Sequence, residues 1–205
     1  AAWGGAGTAL FGLVAVTKGE NGYFINLYND GVYSDKSSGV KISVKANLYK
    51  KGEAKITVKT AGETTLFLRI PKWTKKFSVS VGGKETEFAE EKGYAVVKVK
   101  NGDKVTVSMP MKVERKILNG KAEYERGPIV LARDERFGED LGLPVAVPKK
   151  AGGAVAKLVK NTDFYTNETI KIKTRNGEIT LCDYSSAGKN YDSENCNMSV
   201  WQNID

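Results

Sequence analysis

The chain has 205 residues, of which 40% are hydrophobic and 27% charged, enough length for a well-buried core and too apolar a composition for a disordered majority. Its formal net charge of +8 would suit a phosphate backbone, but only six of the 32 basic residues are Arg, and many Lys alternate with apolar residues, as they do on a solvent face or a blunted sheet edge, so nucleic acid is not an expected partner. The absence of His and the presence of only two Cys exclude His₃ and His₂Glu zinc sites and remove the usual activator of a nucleophilic Ser or Cys.

In chain order, residues 1–17 carry no charge. The stretch is too short to span a membrane and lacks the basic flank of a secretory signal. It predicts a short helix from about Gly5, apolar all round, which one sheet cannot cover on every side. Leu10 and Leu13 are therefore expected to meet a neighbouring domain, and residues 1–22 read as the remnant of a preceding helical domain with its linker. Residues 23–28 have strand composition, and Asn29-Asp30-Gly31 supplies a turn. Period-two alternation follows over 40–49, 55–59, 64–70, 77–81, 94–99 and 104–109. Lys51-Gly52, Gly82-Gly83 and Asn101-Gly102-Asp103 lie between these runs and predict antiparallel hairpins. Residues 138–153 read as a long surface excursion. The strands at 170–174 and 178–183 look too few for a core of their own, so they are expected to complete one sandwich over 23–205. The resulting fold class is all-β: an antiparallel β-sandwich, jelly-roll-like, with a short N-terminal helix.

Few residues are marked for chemistry. Glu123 and Glu125 share a face if 121–126 is a strand, and Asp134 and Glu135 follow, but nothing poises them as an acid–base pair, so no catalytic residue is assigned. Cys182 follows a strand-like run and reads as a structural thiol; a bond to Cys196 is left open. Any metal would have to be a hard cation bound by oxygen. Trp73, Tyr94, Tyr184 and Trp201 offer faces that could stack on sugar rings, in competition with plain packing. Arg69 and Arg126 have the planar donor fork suited to reaching a neighbouring domain.

The order of several short motifs resembles one family. Arg69-Ile70-Pro71-Lys72-Trp73, Gly93-Tyr94, Gly102-Asp103, Met109-Pro110-Met111, Arg126-Gly127-Pro128 and Asp183-Tyr184-Ser185-Ser186-Ala187-Gly188 before Val200-Trp201 together resemble the β-sandwich that follows the catalytic barrel in glycoside hydrolase family 127, the β-L-arabinofuranosidases. The resemblance implies that the chemistry belongs to a preceding (α/α)₆ barrel, where Cys and Glu bind zinc, and that this chain needs no cofactor of its own. It implies a noncatalytic accessory domain of an enzyme acting on arabinofuranosides or related plant glycans, with the helical catalytic domain as partner and no membrane contact. An independent carbohydrate-binding module, with glycan as partner, and a structural or subunit-contact domain are the alternatives. The chain is expected to be soluble, and the compartment, cytoplasmic or secreted, stays open.

Overall fold

In runs such as 40–44, 54–58 and 105–109 apolar side chains fall on alternate positions, and each becomes a strand with one face inward. The computed structural model describes residues 2–148, 152–188 and 197–205. The chain divides into two compact units, Ala1–Pro110 and Met111–Asp205, each with its own apolar cluster.

The first unit opens with helix α1 (Ala2–Ala15) and continues through β1 (Val16–Gly19), β2 (Gly22–Ile25), β3 (Gly31–Asp35), β4 (Val40–Asn47), the single helical turn α2 (Leu48–Lys51), β5 (Glu53–Lys59) and β6 (Thr64–Arg69). It ends with β7 (Ser78–Val81), β8 (Lys84–Thr86), β9 (Ala89–Glu91), β10 (Tyr94–Val99) and β11 (Lys104–Ser108). The strands form two sheets, ordered β1-β2-β6-β10-β9 and β3-β4-β5-β11-β7-β8. Their inward residues, among them Ile25, Ile42, Ile56, Leu66, Leu68, Val97, Val105 and Val107, make one core.

Three local expectations change. Residues 16–19, read as the end of the helix and the start of the linker, are a strand paired with β2 from Val16↔Ile25 to Gly19↔Gly22. Asn101-Gly102-Asp103 does not close a hairpin, because β10 and β11 lie in different sheets. Gly102, at φ +82, turns a corner that is pinned by its N–H on the Val58 carbonyl (2.9 Å) and by the Lys100 N–H on Asp103 Oδ2 (2.8 Å). The positive-φ chemistry of a hairpin serves a sheet-to-sheet corner equally well. Finally, β2 and β6 pair in parallel, Tyr23↔Leu66 to Ile25↔Leu68, which the long intervening excursion through β3–β5 allows.

The second unit contains β12 (Val113–Leu118), β13 (Lys121–Arg126), β14 (Ile129–Asp134), β15 (Gly152–Gly153), β16 (Ala156–Val159), β17 (Thr169–Thr174) and β18 (Gly177–Asp183). Two short pieces, β19 (Met198–Ser199) and β20 (Gln202–Asn203), pair with β14 and β13. The main order is β15-β12-β13-β14-β18-β17-β16. Its two ends are one stretch of chain: 152–153 pairs with β12 and 156–159 with β17, and between them the Ala154 N–H reaches the Val113 carbonyl while the Lys173 N–H reaches Val155. The sheet therefore closes on itself as a small barrel, with β15 covering β12 at Glu114 and Arg115.

This corrects the single sandwich expected over 23–205. The late strands have ample partners, because β12–β14 belong with them, and Tyr124, Leu131, Ile170, Ile172 and Leu181 fill a core of their own. The excursion from residue 138 also returns inward, with Val145 and Val147 joining that core.

Candidate functional site

In the first unit, α1 ends where Asn26 gathers its last turn. Asn26 Nδ2 donates to the Val14 carbonyl (2.8 Å) and to Thr17 Oγ1 (3.1 Å), while its Oδ1 accepts from Tyr94 Oη (2.7 Å). The backbone N–H groups of Asn26 and Leu27 both reach the Ala15 carbonyl. Carbonyls left over at a helix end need such donors, so Asn26 fixes how α1 leaves the sheet. Tyr94 also meets Phe24 edge-on at 5.2 Å, and Phe24 stacks on Phe67 at 4.3 Å. The helix itself leaves Leu10, Phe11, Leu13 and Val14 57%, 58%, 72% and 47% exposed. Beside it an apolar cleft of about 270 Å³ runs between Phe11, Leu27 and Val32.

In the second unit, buried charge collects where β14 and β18 end. Asp134 is fully buried and takes Arg136 through both carboxylate oxygens (2.8 and 2.5 Å), with the Gly188 N–H as a further donor at 2.8 Å. Asp183 accepts from the N–H groups of Asn167 and Glu168, from Asn167 Nδ2, and from the hydroxyls of Ser185 and Ser186. Burial alone would raise both carboxyls, but Arg136 and the Gly188 N–H hold Asp134 below its ordinary range, and Ser185 and Asn167 do the same for Asp183. Glu168 differs. Its Oε2 meets Arg126 at 2.7 Å, yet burial pushes its carboxyl up to about 7 against the pull of that guanidinium. The Asp-Tyr-Ser-Ser-Ala-Gly motif is thus a clasp: Asp183 ties the Asn167–Glu168 loop to the motif's own turn, and Gly188 reaches the second carboxylate, Asp134.

The eight residues singled out from sequence are divided between the units. Trp73 packs half-buried against the first core, just after Pro71. Tyr94 is committed to Asn26 and Phe24. Tyr184 and Trp201, 52% and 37% exposed, belong to the second unit. Among the described residues no ring contact joins any two of the four. Leu10 and Leu13 stand in solvent on α1. Arg69 is exposed at the end of β6 and donates to the Asn26 carbonyl at 3.5 Å. Arg126 is only 6% exposed and its charge is spent on Glu168 within its own unit, rather than reaching outward as its sequence context suggests. Asn26, Arg136 and Glu168 escaped sequence reading because none lies in a pattern that signals burial.

The two glutamates that share a face on β13 are engaged with a lysine. Glu123 and Glu125 flank Lys116 at 3.2 and 2.6 Å across the β12–β13 pair. The residues do not fit a zinc ion: among the described residues no group of three or more His, Cys, Asp or Glu is placed to hold one. Cys182 is fully buried, and burial with Asp134 and Asp183 nearby pushes its thiol up to about 12, so it is a poor ligand and a poor nucleophile. Cys196 lies outside the described residues. Among the described residues no helix is long and apolar enough to cross a membrane.

Residues 22–111 match the family described as Beta-L-arabinofuranosidase, GH127 middle domain. Among solved structures, the chain is similar to a GH127 β-L-arabinofuranosidase from Geobacillus stearothermophilus T6, with a TM-score of 0.75, 23% identity, and coverage of 96% of this chain and 36% of that one. It is also similar to a GH127 β-arabinofuranosidase (TM-score 0.72, 18% identity, 93% and 36% covered) and to a glycoside hydrolase (TM-score 0.67, 20% identity, 93% and 37% covered). At these identities the likeness is one of fold. The chain spans a little over a third of the length of these proteins. No curated protein matches it.

Proposed function

Residues 22–111 of this chain belong to the middle domain of glycoside hydrolase family 127, and on that premise we propose that the chain is a noncatalytic accessory part of a glycoside hydrolase acting on arabinofuranosides or related plant glycans. Its role is to brace a helical catalytic domain, which carries the chemistry and any zinc. The observation that carries this reading is α1, whose exposed Leu10, Phe11, Leu13 and Val14 continue into the cleft at Val32. Helical apolar faces of that kind are covered by other helices. Asn26 supports the same reading, since it holds the helix at a set angle to the sheet.

Two measurements test it. The 205-residue chain, incubated with aryl arabinofuranosides with and without zinc and reductant, should show no turnover. Turnover that survives repurification and disappears in Glu123→Gln or Glu125→Gln overturns the noncatalytic assignment. The chain should also associate with the separately expressed helical domain of the parent enzyme, and Leu10→Lys with Leu13→Lys should abolish that association; undiminished association overturns the bracing role of α1.

A further inference from the structure

Of the two readings that the sequence allows for the alternating lysines, a solvent face or a blunted edge, β4 and β5 take the first. β4 and β5 are inner strands of their sheet, and their register sets Lys41 opposite Lys59 and Lys45 opposite Lys55, with Ser43 opposite Thr57 between them. On the next strand Lys104 stands opposite Thr57 and Thr106 opposite Lys55. The outer face of β4, β5 and β11 is thus a chequer of five ammonium groups and three hydroxyls. Like charges directly opposite on a sheet destabilise it, and edge blunting offers no compensation on inner strands. Among the described residues none of the five lysines has an ion-pair partner.

The same face is the floor of a groove of about 820 Å³, within the range of ligand sites. Ser43, Thr57 and Thr106 are half-buried in it, and no side-chain hydrogen bond engages their hydroxyls among the described residues. Two acids also line the groove, each with one oxygen on a backbone N–H: Asp30 Oδ1 accepts from Ala46 at 2.6 Å and Asp103 Oδ2 from Lys100 at 2.8 Å, so the three lysines of the lining, Lys45, Lys55 and Lys104, outnumber them.

We propose that this face binds an acidic polysaccharide, with Lys45, Lys55 and Lys104 meeting uronate carboxylates and Ser43, Thr57 and Thr106 meeting sugar hydroxyls. The groove borders the α1 cleft at Val32, but the proposal rests on the lysine rows and does not depend on the bracing role. Strands about 4.8 Å apart and side chains about 6.6 Å apart along each strand repeat the charges along the groove, so a polymer engages several of them together and a monosaccharide engages one. Nucleic acid fits less well. The rows contain neither the aromatic platforms on which unpaired bases stack nor the Arg forks that hold phosphates in pairs.

The test is calorimetric titration of the 205-residue chain with polygalacturonate, neutral arabinan and poly(dT) at low salt. Polygalacturonate should bind, weaken as salt rises, and outbind both other polymers and the galacturonate monomer. Lys45→Gln with Lys55→Gln should weaken binding about tenfold without lowering the melting temperature, whereas Lys171→Gln with Lys173→Gln, on exposed positions of the second unit, should leave it unchanged. Absence of polygalacturonate binding, equal binding of arabinan or poly(dT), or wild-type affinity in the Lys45/Lys55 variant each overturns the proposal.

Discussion

Replacing Glu168 by Gln should change the pH dependence of the second unit's stability. Glu168 is 5% exposed, and while Oε2 is held by Arg126, Oε1 has no hydrogen-bond partner among the described residues. Desolvation therefore outweighs the ion pair, and the carboxyl titrates near 7 in the folded unit, against 4.5 when free. Between those values the folded unit keeps a proton that the unfolded chain has released, so stability falls as pH rises through that window and levels off above it. At about 1.4 kcal/mol per pH unit, the loss comes to about 3 kcal/mol. Asp134 and Asp183 act in the opposite sense and at lower pH: their carboxyls are held down in the fold, so the stability they supply is lost as pH drops below about 4. The two windows are separable. Native-state hydrogen exchange of peptides covering 121–134 and 169–183 reads the second unit by itself. The wild type should lose protection from pH 4.5 to 7.5, and Glu168→Gln, which carries no charge at any pH, should not. Parallel profiles for the two proteins would refute the reasoning, because they would mean that Arg126 compensates the carboxylate fully.

Asp183→Ala strands the Glu168 N–H, leaves the Asn167 N–H with Ser186 Oγ alone and removes the acceptor of the Ser185 and Ser186 hydroxyls, so it should cost about 3 kcal/mol; thermal unfolding checks this, with Asp183→Asn recovering part of the loss. Leu10→Lys with Leu13→Lys should leave the unfolding free energy of the first unit within about 0.5 kcal/mol and reduce self-association in sedimentation, since both side chains already stand in solvent. Gly52→Ala should destabilise the first unit by about 1–2 kcal/mol in guanidinium titration, because Gly52 sits at φ +63 with a Cβ position 2.3 Å from the Met109 carbonyl oxygen. An unchanged midpoint would show that the β4–β5 bend tolerates a side chain.

Sequence alone carried the local structure a long way. Alternation such as Val40, Ile42 and Val44 states which residues share a face, and Gly82-Gly83 does close a hairpin, with Val81 opposite Lys84, although its second strand is 84–86 and not the alternating run 94–99. A chargeless run ending in Leu10, Leu13 and Val14 announced a helix with more apolar surface than one sheet can cover. The motifs are local devices: Gly127, at φ +60, turns β13 into β14, and Asp183 gathers the Asn167–Glu168 loop and its own turn. What sequence did not contain is partnership between distant strands. Asn101-Gly102-Asp103 has one turn chemistry whether β11 returns beside β10 or crosses to β5. Strands β12–β14 have the same apolar residues whether they extend the first sandwich or close a barrel with β17 and β18. Period two says which side of a strand is apolar and nothing about which strand lies next to it; that is decided by where Tyr124, Leu131 and Ile172 can be buried together. The same limit holds for charge. Lys45 and Lys55 read as ordinary solvent-facing lysines until the register of two inner strands sets them opposite each other, and Glu168 reads as a loop acid until the barrel closes over it and removes the water that kept it ionised.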